Sequence, residues 1–176
     1  MTTRRRVILA GGAVVSAAAI GTGAFIASGT RRFNTLDDAR RAVVPLAEHP
    51  VQTTGAWNLA QVLNHAAQSV EFSLDGFPEA KPALFQATVG HLAFALFDAR
   101  GAMHHALDQP IPGAPALDVD APLPAAVQRL LNAFDRFERH GGALQAHFAY
   151  GALDKLAYTR AHLMHLADHW AEFTPA

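Results

Sequence analysis

Residues 153–173 read LDKLAYTRAHLMHLADHWAEF, with histidines at 162, 165 and 169. The pattern predicts a helix from Leu153 to Phe173, and the three histidines fall at i, i+3 and i+7 along it. Helical residues three or four apart share a face, with Cβ atoms about 5–6 Å from each other. His165 and His169 can therefore reach one metal ion through ring nitrogens at about 2.0–2.1 Å. No other stretch gathers potential ligands so tightly. Whether a third ligand meets them depends on the rest of the chain.

A chain of 176 residues suits one domain with an N-terminal appendage. Apolar residues make up 51% of it and alanine is abundant, a composition that favours helix. The absence of cysteine excludes disulfides, thiolate metal sites and cysteine nucleophiles. Net charge is −1, and no Lys/Arg cluster lies beyond the N-terminus, so nucleic acid is not an expected partner. Without Arg4, Arg5 and Arg6 the chain holds 11 basic residues against 15 acidic ones, a mildly acidic domain.

Residues 1–30 differ from everything after them. Arg4-Arg5-Arg6-Val7-Ile8 precedes an uncharged run from Val7 to Thr30, rich in Ala, Gly and Val. Paired arginines followed by a moderately apolar, glycine-softened segment are the pattern of a twin-arginine export signal. No clean Ala-x-Ala cleavage site lies near Ala24–Ser28. About 20 apolar residues suffice to span a bilayer, so an uncleaved anchor with membrane association through residues 7–29 is the rival reading. Either way the folded domain is expected outside the cytoplasm, periplasmic or membrane-anchored and facing the periplasm.

Asn34-Thr35 before Leu36-Asp37-Asp38 reads as an N-cap with acidic first-turn residues. A helix follows to the Glu48-His49-Pro50 break. A stronger amphipathic helix starts after Trp57-Asn58, carries Leu59, Val62, Leu63, Ala66, Ala67 and Val70, and stops near Asp75-Gly76. The third helical segment, about Ala83 to Leu107, is apolar nearly all round and is expected to be buried. Four prolines between Asp108 and Leu123 mark a long ordered loop. Pro124–Arg139 gives a further helix, ended by Gly141-Gly142. The expected fold is all-α: an antiparallel four-helix bundle with an additional helix and a long crossover loop, over residues 34–173.

Bundles build metal sites from side chains on facing helices. His65 is the natural third ligand, sitting mid-helix among the polar residues Gln61, Gln68 and Ser69, any of which could fix its tautomer. Three neutral nitrogens and an open position suit a catalytic Zn²⁺ or Ni²⁺. His162, one turn before His165, could be a fourth ligand, a group supporting the ligands, or a general base, and Glu172 is a further candidate for proton transfer. A hydrogen-bonded core histidine is the ordinary alternative for His65. His104 and His105 read as surface residues of the third helix, and His49, His91, His140 and His147 have no partner at ligand spacing, although His147 could line a cleft mouth.

Trp57-Asn58-Leu59-Ala60-Gln61-Val62-Leu63-Asn64-His65, together with His165-x-x-x-His169, resembles the DinB/YfiT-like superfamily of helical-bundle proteins. The resemblance covers roughly residues 34–173 and is nearest to a branch of unassigned function, which shares the Phe148-Ala149-Tyr150-Gly151-Ala152-Leu153 loop. It implies His65, His165 and His169 as ligands to one divalent metal, with water or substrate in the remaining positions. Some superfamily members resemble thiol-dependent transferases or maleylpyruvate isomerases. Two departures weigh against that chemistry here: the export-like segment, and Trp170-Ala171-Glu172 where relatives often carry Arg-Gly-Gln.

The functional expectation is a metal-dependent hydrolase or transferase acting on an unidentified small molecule outside the cytoplasm, with an enclosed cleft lined by Trp57, Phe148 or Tyr150. A non-catalytic exported bundle that holds metal or ligand is the alternative, followed by a purely structural bundle. A haem site is disfavoured, there being no CxxCH. A homodimer is a further expectation.

Overall fold

A computed structural model of the chain describes residues 32–174. The proposed signal or anchor, residues 1–30, lies outside the described residues. The described part is mostly helical, as an all-α fold requires. Its elements are α1 (Leu36–Val43), a 3₁₀ turn (Val44–Ala47), β1 (Gln52–Thr53), α2 (Leu59–Asp75), α3 (Ala83–Phe85), a π-helical stretch (Gln86–Gly90), α4 (His91–Arg100), α5 (Leu123–Arg139), α6 (Lys155–Trp170) and β2 (Phe173–Thr174).

Local chemistry sets the helix starts. Thr35 and Asp38 form a reciprocal capping box at α1, and Asn58 and Gln61 form another at α2. Asp154 accepts a hydrogen bond from the Ala157 N–H at the start of α6. The core lies between α1, α2, α5 and α6. Val43, Leu63, Leu130, Phe134, Phe137, Tyr158 and Leu166 are fully buried within it. β1 and β2 pair antiparallel, Gln52 with Thr174 and Thr53 with Phe173, and so tie the end of α6 to the segment entering α2.

The third helical segment departs from its sequence reading in two ways. It ends at Arg100, because Gly101 takes a left-handed conformation (φ 67°) that closes the helix. His104 and His105 therefore sit on the following loop rather than on a helix. The segment is also not buried. Of residues 83–100 only Gly90 and Phe94 are buried, while Leu84, Val89, Leu92 and Leu96 are 47–77% exposed. The reason is position: the helix meets the domain along one side, where Gly90 backs directly onto the Ala149 carbonyl and leaves no room for a side chain.

The proline-rich crossover, by contrast, is ordered by α2. Asn58 Nδ2 donates to the Val119 carbonyl (2.8 Å), Gln61 Nε2 to Leu117 (3.3 Å) and Gln68 Nε2 to Pro115 (2.9 Å). The polar face of α2 thus holds the loop that carries Met103, His105 and Ile111.

Candidate metal centre

Four imidazoles converge where α2, α6 and the crossover loop meet. His65, His105, His165 and His169 each offer a ligand atom, and these atoms all lie within 4.8 Å of one another. His65 comes from α2, His165 and His169 from one face of α6, and His105 from the loop. The structure brings together the three histidines read from the sequence and adds a fourth that the sequence reading had assigned to the surface. His104 is indeed turned outward, 89% exposed at its side chain, whereas the His105 side chain is 28% exposed. The available signal was Asp168, lying between His165 and His169 in the sequence, since a buried carboxylate needs partners.

Asp168 supplies the orientation. Its Oδ2 accepts from His105 Nδ1 at 2.8 Å and from the His105 backbone N–H at 3.1 Å, and its Oδ1 accepts from His104 Nδ1 at 3.1 Å. The proton on His105 is therefore on Nδ1, leaving Nε2 as the nitrogen for a metal, the arrangement of a carboxylate–histidine–metal relay. Burial alone would raise the Asp168 carboxyl; the hydrogen bonds from His105 and the neighbouring histidine charges outweigh it and hold the group below its usual range.

His65 Nε2 lies 3.1 Å from His165 Nε2. Two nitrogens bound to one ion at about 2.1 Å stand about 3.4 Å apart in a tetrahedron and at most about 4.2 Å apart in any geometry. That pair is already at ligand separation, and the widest pair has to close by roughly half an ångström or more. The buried His65 Nδ1 and both nitrogens of the fully buried His169 have no hydrogen-bond partner. An orphaned buried donor costs about 1–3 kcal/mol, and an ion among the rings would engage one nitrogen of each. Gln61 and Gln68, expected to fix the His65 tautomer, instead reach the loop carbonyls. Trp57 packs on the cluster from behind, 4.8 Å from the His65 ring and stacked at 6.0 Å on His169.

Ligation requires neutral rings, and burial keeps His65, His165 and His169 so at pH 7. Burial, reinforced by His169 and His105, pushes His65 down to about 3. Burial and His105 hold His169 at about 4, against the opposing pull of Asp168, and burial with the neighbouring rings keeps His165 well below its ordinary value. An all-imidazole donor set fits Zn²⁺, Ni²⁺ or Cu²⁺ and not the oxygen-seeking Mg²⁺ or Ca²⁺.

A cavity of about 330 Å³ opens onto this cluster, with His65, His105 and His165 in its wall. The wall also carries His147, Phe148, Tyr150 and His162, together with Lys81, Gln109 and Ile111. Phe148 and Tyr150 line the cavity as the sequence suggested; Trp57 does not. The His147–Gly151 loop is closed by a reciprocal backbone pair (2.8 and 3.0 Å) with Gly151 at φ 77°. Within it His147 Nδ1 accepts from the N–H groups of Ala149 (3.1 Å) and Tyr150 (3.3 Å), which puts the ring proton on Nε2. His162 Nε2 lies 3.4 Å from Ser73 Oγ, whose own proton goes to the Val70 carbonyl at 2.6 Å. His162 therefore donates through Nε2 and keeps Nδ1 as an acceptor.

Burial pushes both rings down to about 3, with His162 adding to the effect on His147. At that value His162 is a weak base at pH 7, and its chemistry in the cavity is that of a neutral hydrogen-bonding group. Glu172, the other residue considered for proton transfer, lies past the end of α6 with its carboxylate over Gly55, outside the cavity wall. The cavity wall thus combines three histidines of the candidate metal cluster with two uncharged rings of fixed tautomer, His147 and His162.

No curated protein and no solved structure matches the chain. A family model does match, over residues 28–176, and so takes in every residue of the cluster and its cavity. The chain belongs to the family described as protein of unknown function (DUF1569).

Proposed function

We propose that the protein binds one divalent transition metal, Zn²⁺ or Ni²⁺, through His65, His105, His165 and His169, and acts on a small molecule admitted by the adjoining cavity as a metal-dependent hydrolase or transferase. The observation that carries this reading is the convergence of four imidazoles, two of them with orphaned nitrogens, beside a 330 Å³ cavity that three of them line. In this reading α2, α5 and α6 with the 83–100 segment form the antiparallel four-helix bundle of a DinB-like protein. Residues 1–30 serve as its twin-arginine signal or anchor, placing the domain outside the cytoplasm. Among the described residues no helix is long and apolar enough to cross a membrane.

When bound, the metal supplies Lewis acidity, polarising a substrate oxygen or lowering the pKa of water. The chain's own groups do the rest. Asp168 keeps the proton of His105 on Nδ1. His147 and His162 orient the substrate through one donor and one acceptor. Phe148, Tyr150 and Ile111 exclude water.

One observation favours a second reading, a non-catalytic metal holder. His105 is a fourth protein ligand, and four ligands complete a tetrahedron, whereas catalytic zinc keeps a position open. Elemental mass spectrometry on the purified chain tests the common core of both. Stoichiometric metal in the wild type, lost in His65→Ala/His169→Ala, is the expected result; metal-free protein after exposure to Zn²⁺ and Ni²⁺ refutes both. His105→Ala then separates them. A catalytic centre retains metal on three histidines, and a closed holder releases it.

A further inference from the structure

Among the described residues eight large apolar side chains are exposed, and five of them, Leu84, Phe85, Val89, Leu92 and Leu96, lie on the 83–100 helix. Ala87, Thr88, His91, Ala95 and Ala99 are exposed beside them. This outward face carries no Asp, Glu or Lys. Asp98 is half-buried and paired with Arg160, and the only exposed charge is Arg100 at the C-terminal end. A contiguous apolar surface of this kind on a folded domain marks a contact with another body.

The route of the chain indicates which body. Arg32 and Phe33, the first described residues, share a groove with Gly101 at the end of α4 and with Leu156, Arg160 and Met164 of α6. The Arg32 guanidinium is fixed there 5.1 Å from the Trp170 ring centroid. The uncharged run Val7–Thr30 is followed directly by Arg31 and Arg32. The described chain therefore begins beside the C-terminal end of the exposed helix, where Arg32 and Arg100 are both exposed.

The geometry points to a lipid bilayer: the outward face of residues 83–100 lies on the surface of the membrane that holds residues 7–29. Leu84, Phe85, Val89, Leu92 and Leu96 sink into the headgroup–acyl boundary, as the apolar face of an interfacial helix does. Arg32 and Arg100 meet anionic headgroups at the end where the described chain begins. The inference rests on the anchoring reading of the N-terminal segment and adds to it a defined orientation, with the helix between bilayer and cavity wall.

The chain has no cysteine, so a single introduced one can be labelled uniquely. The full chain is reconstituted into phosphatidylcholine/phosphatidylglycerol vesicles with brominated acyl chains. It carries an environment-sensitive fluorophore at Ala17→Cys in the apolar run, at Leu92→Cys on the helix, or at Val119→Cys on the crossover loop. Blue-shifted emission and bromolipid quenching at Ala17 and Leu92, with neither at Val119, is the expected result. Quenching at Ala17 with Leu92 unquenched overturns the docking while leaving the anchor intact. No quenching at Ala17 or Leu92 overturns the docking because the anchor itself has failed. Emission at Leu92 that is blue-shifted without lipid and unquenched by bromolipid shows a second copy or residues 7–29 covering the face, and also overturns it. Should Leu92→Cys misfold, Ala95→Cys on the same exposed face gives the same readings.

Discussion

Two helical segments of similar length, α2 and the 83–100 segment, are treated in opposite ways by the fold. In α2, 13 of 17 residues are buried, and they include Asn64, His65, Gln68, Ser69 and Ser73. The 83–100 segment holds mostly apolar residues and buries only Gly90 and Phe94. One helix takes polar groups inside and the other leaves apolar groups outside. Hydropathy alone therefore ranks the two wrongly. The polar groups of α2 have assigned work, in the histidine cluster, in tethering the crossover loop and in accepting from His162. The second helix packs Phe94 and Phe97 inward and leaves Leu84, Val89, Leu92 and Leu96 largely exposed. Local rules fail where a sequence is shaped by something other than its own core.

The contrast breaks first, and most visibly, at Leu63. This residue is fully buried in α2 two positions before His65. Leu63→Ala removes core volume that its neighbours only partly refill, and should cost about 2–5 kcal/mol in denaturant unfolding. A loss below about 1 kcal/mol would mean that α2 is not the spine of the core.

The buried histidine pair on the cavity wall sharpens the same point through pH. His147 and His162 are held at about 3 by burial, against an ordinary 6.5 in the unfolded chain. His147 faces Phe77, Phe148, Tyr150 and Tyr158, with His162 as its titratable neighbour; His162 faces Phe137, Tyr158 and Ser73, and among the described residues no carboxylate is paired with either ring. The unfolded chain takes up protons first, so the contribution to stability is complete above pH 6.5 and is lost as pH falls from there towards 3. Between pH 6.5 and 5 each ring accounts for about 2 kcal/mol, as an upper figure. Urea melts of the metal-free chain at the two pH values check this. His147→Asn, whose Oδ1 can accept the same backbone N–H groups, should remove its share of the slope.

Asp168 gives a smaller effect, read on the metal rather than on the fold. Asp168→Asn keeps the shape but loses the charge that fixes the His105 tautomer, and should weaken metal binding about 10–100-fold by competition with a chromophoric chelator. An unchanged affinity would place His105 outside the coordination sphere and return the centre to three histidines.

Much of this was legible in the sequence. The capping boxes at Thr35 and Asn58, the helical spacing in α2, α5 and α6, and the HxxxH pair opposite His65 all act within a few residues, where sequence and geometry are tightly linked. His105 was not legible, because its place depends on Gly101 ending the helix and on Asp168 reaching it across 63 positions. Nor was the exposure of the 83–100 helix. Periodicity reports which face is apolar, and a helix apolar nearly all round carries no period to read. The cavity had the same character: it is assembled from a loop around Met103 and His105, the Pro110–Pro112 turn and the His147–Gly151 hairpin, none of which has a sequence signature for the others.

The smallest expected effect is the one most specific to the contrast. Leu92 is 62% exposed, and Leu92→Ser removes a side chain that the folded domain hardly contacts. Surface changes of this kind shift stability by no more than about 0.5 kcal/mol. Unfolding of the full chain in detergent solution should therefore be nearly unchanged, where the comparably apolar Leu63 costs several times more. If Leu92→Ser instead destabilises by about 2 kcal/mol or more, on the scale of a buried leucine, the helix is covered in solution by another part of the chain or by a second copy. The apolar face is then core after all, and the two segments differ only in which body buries them.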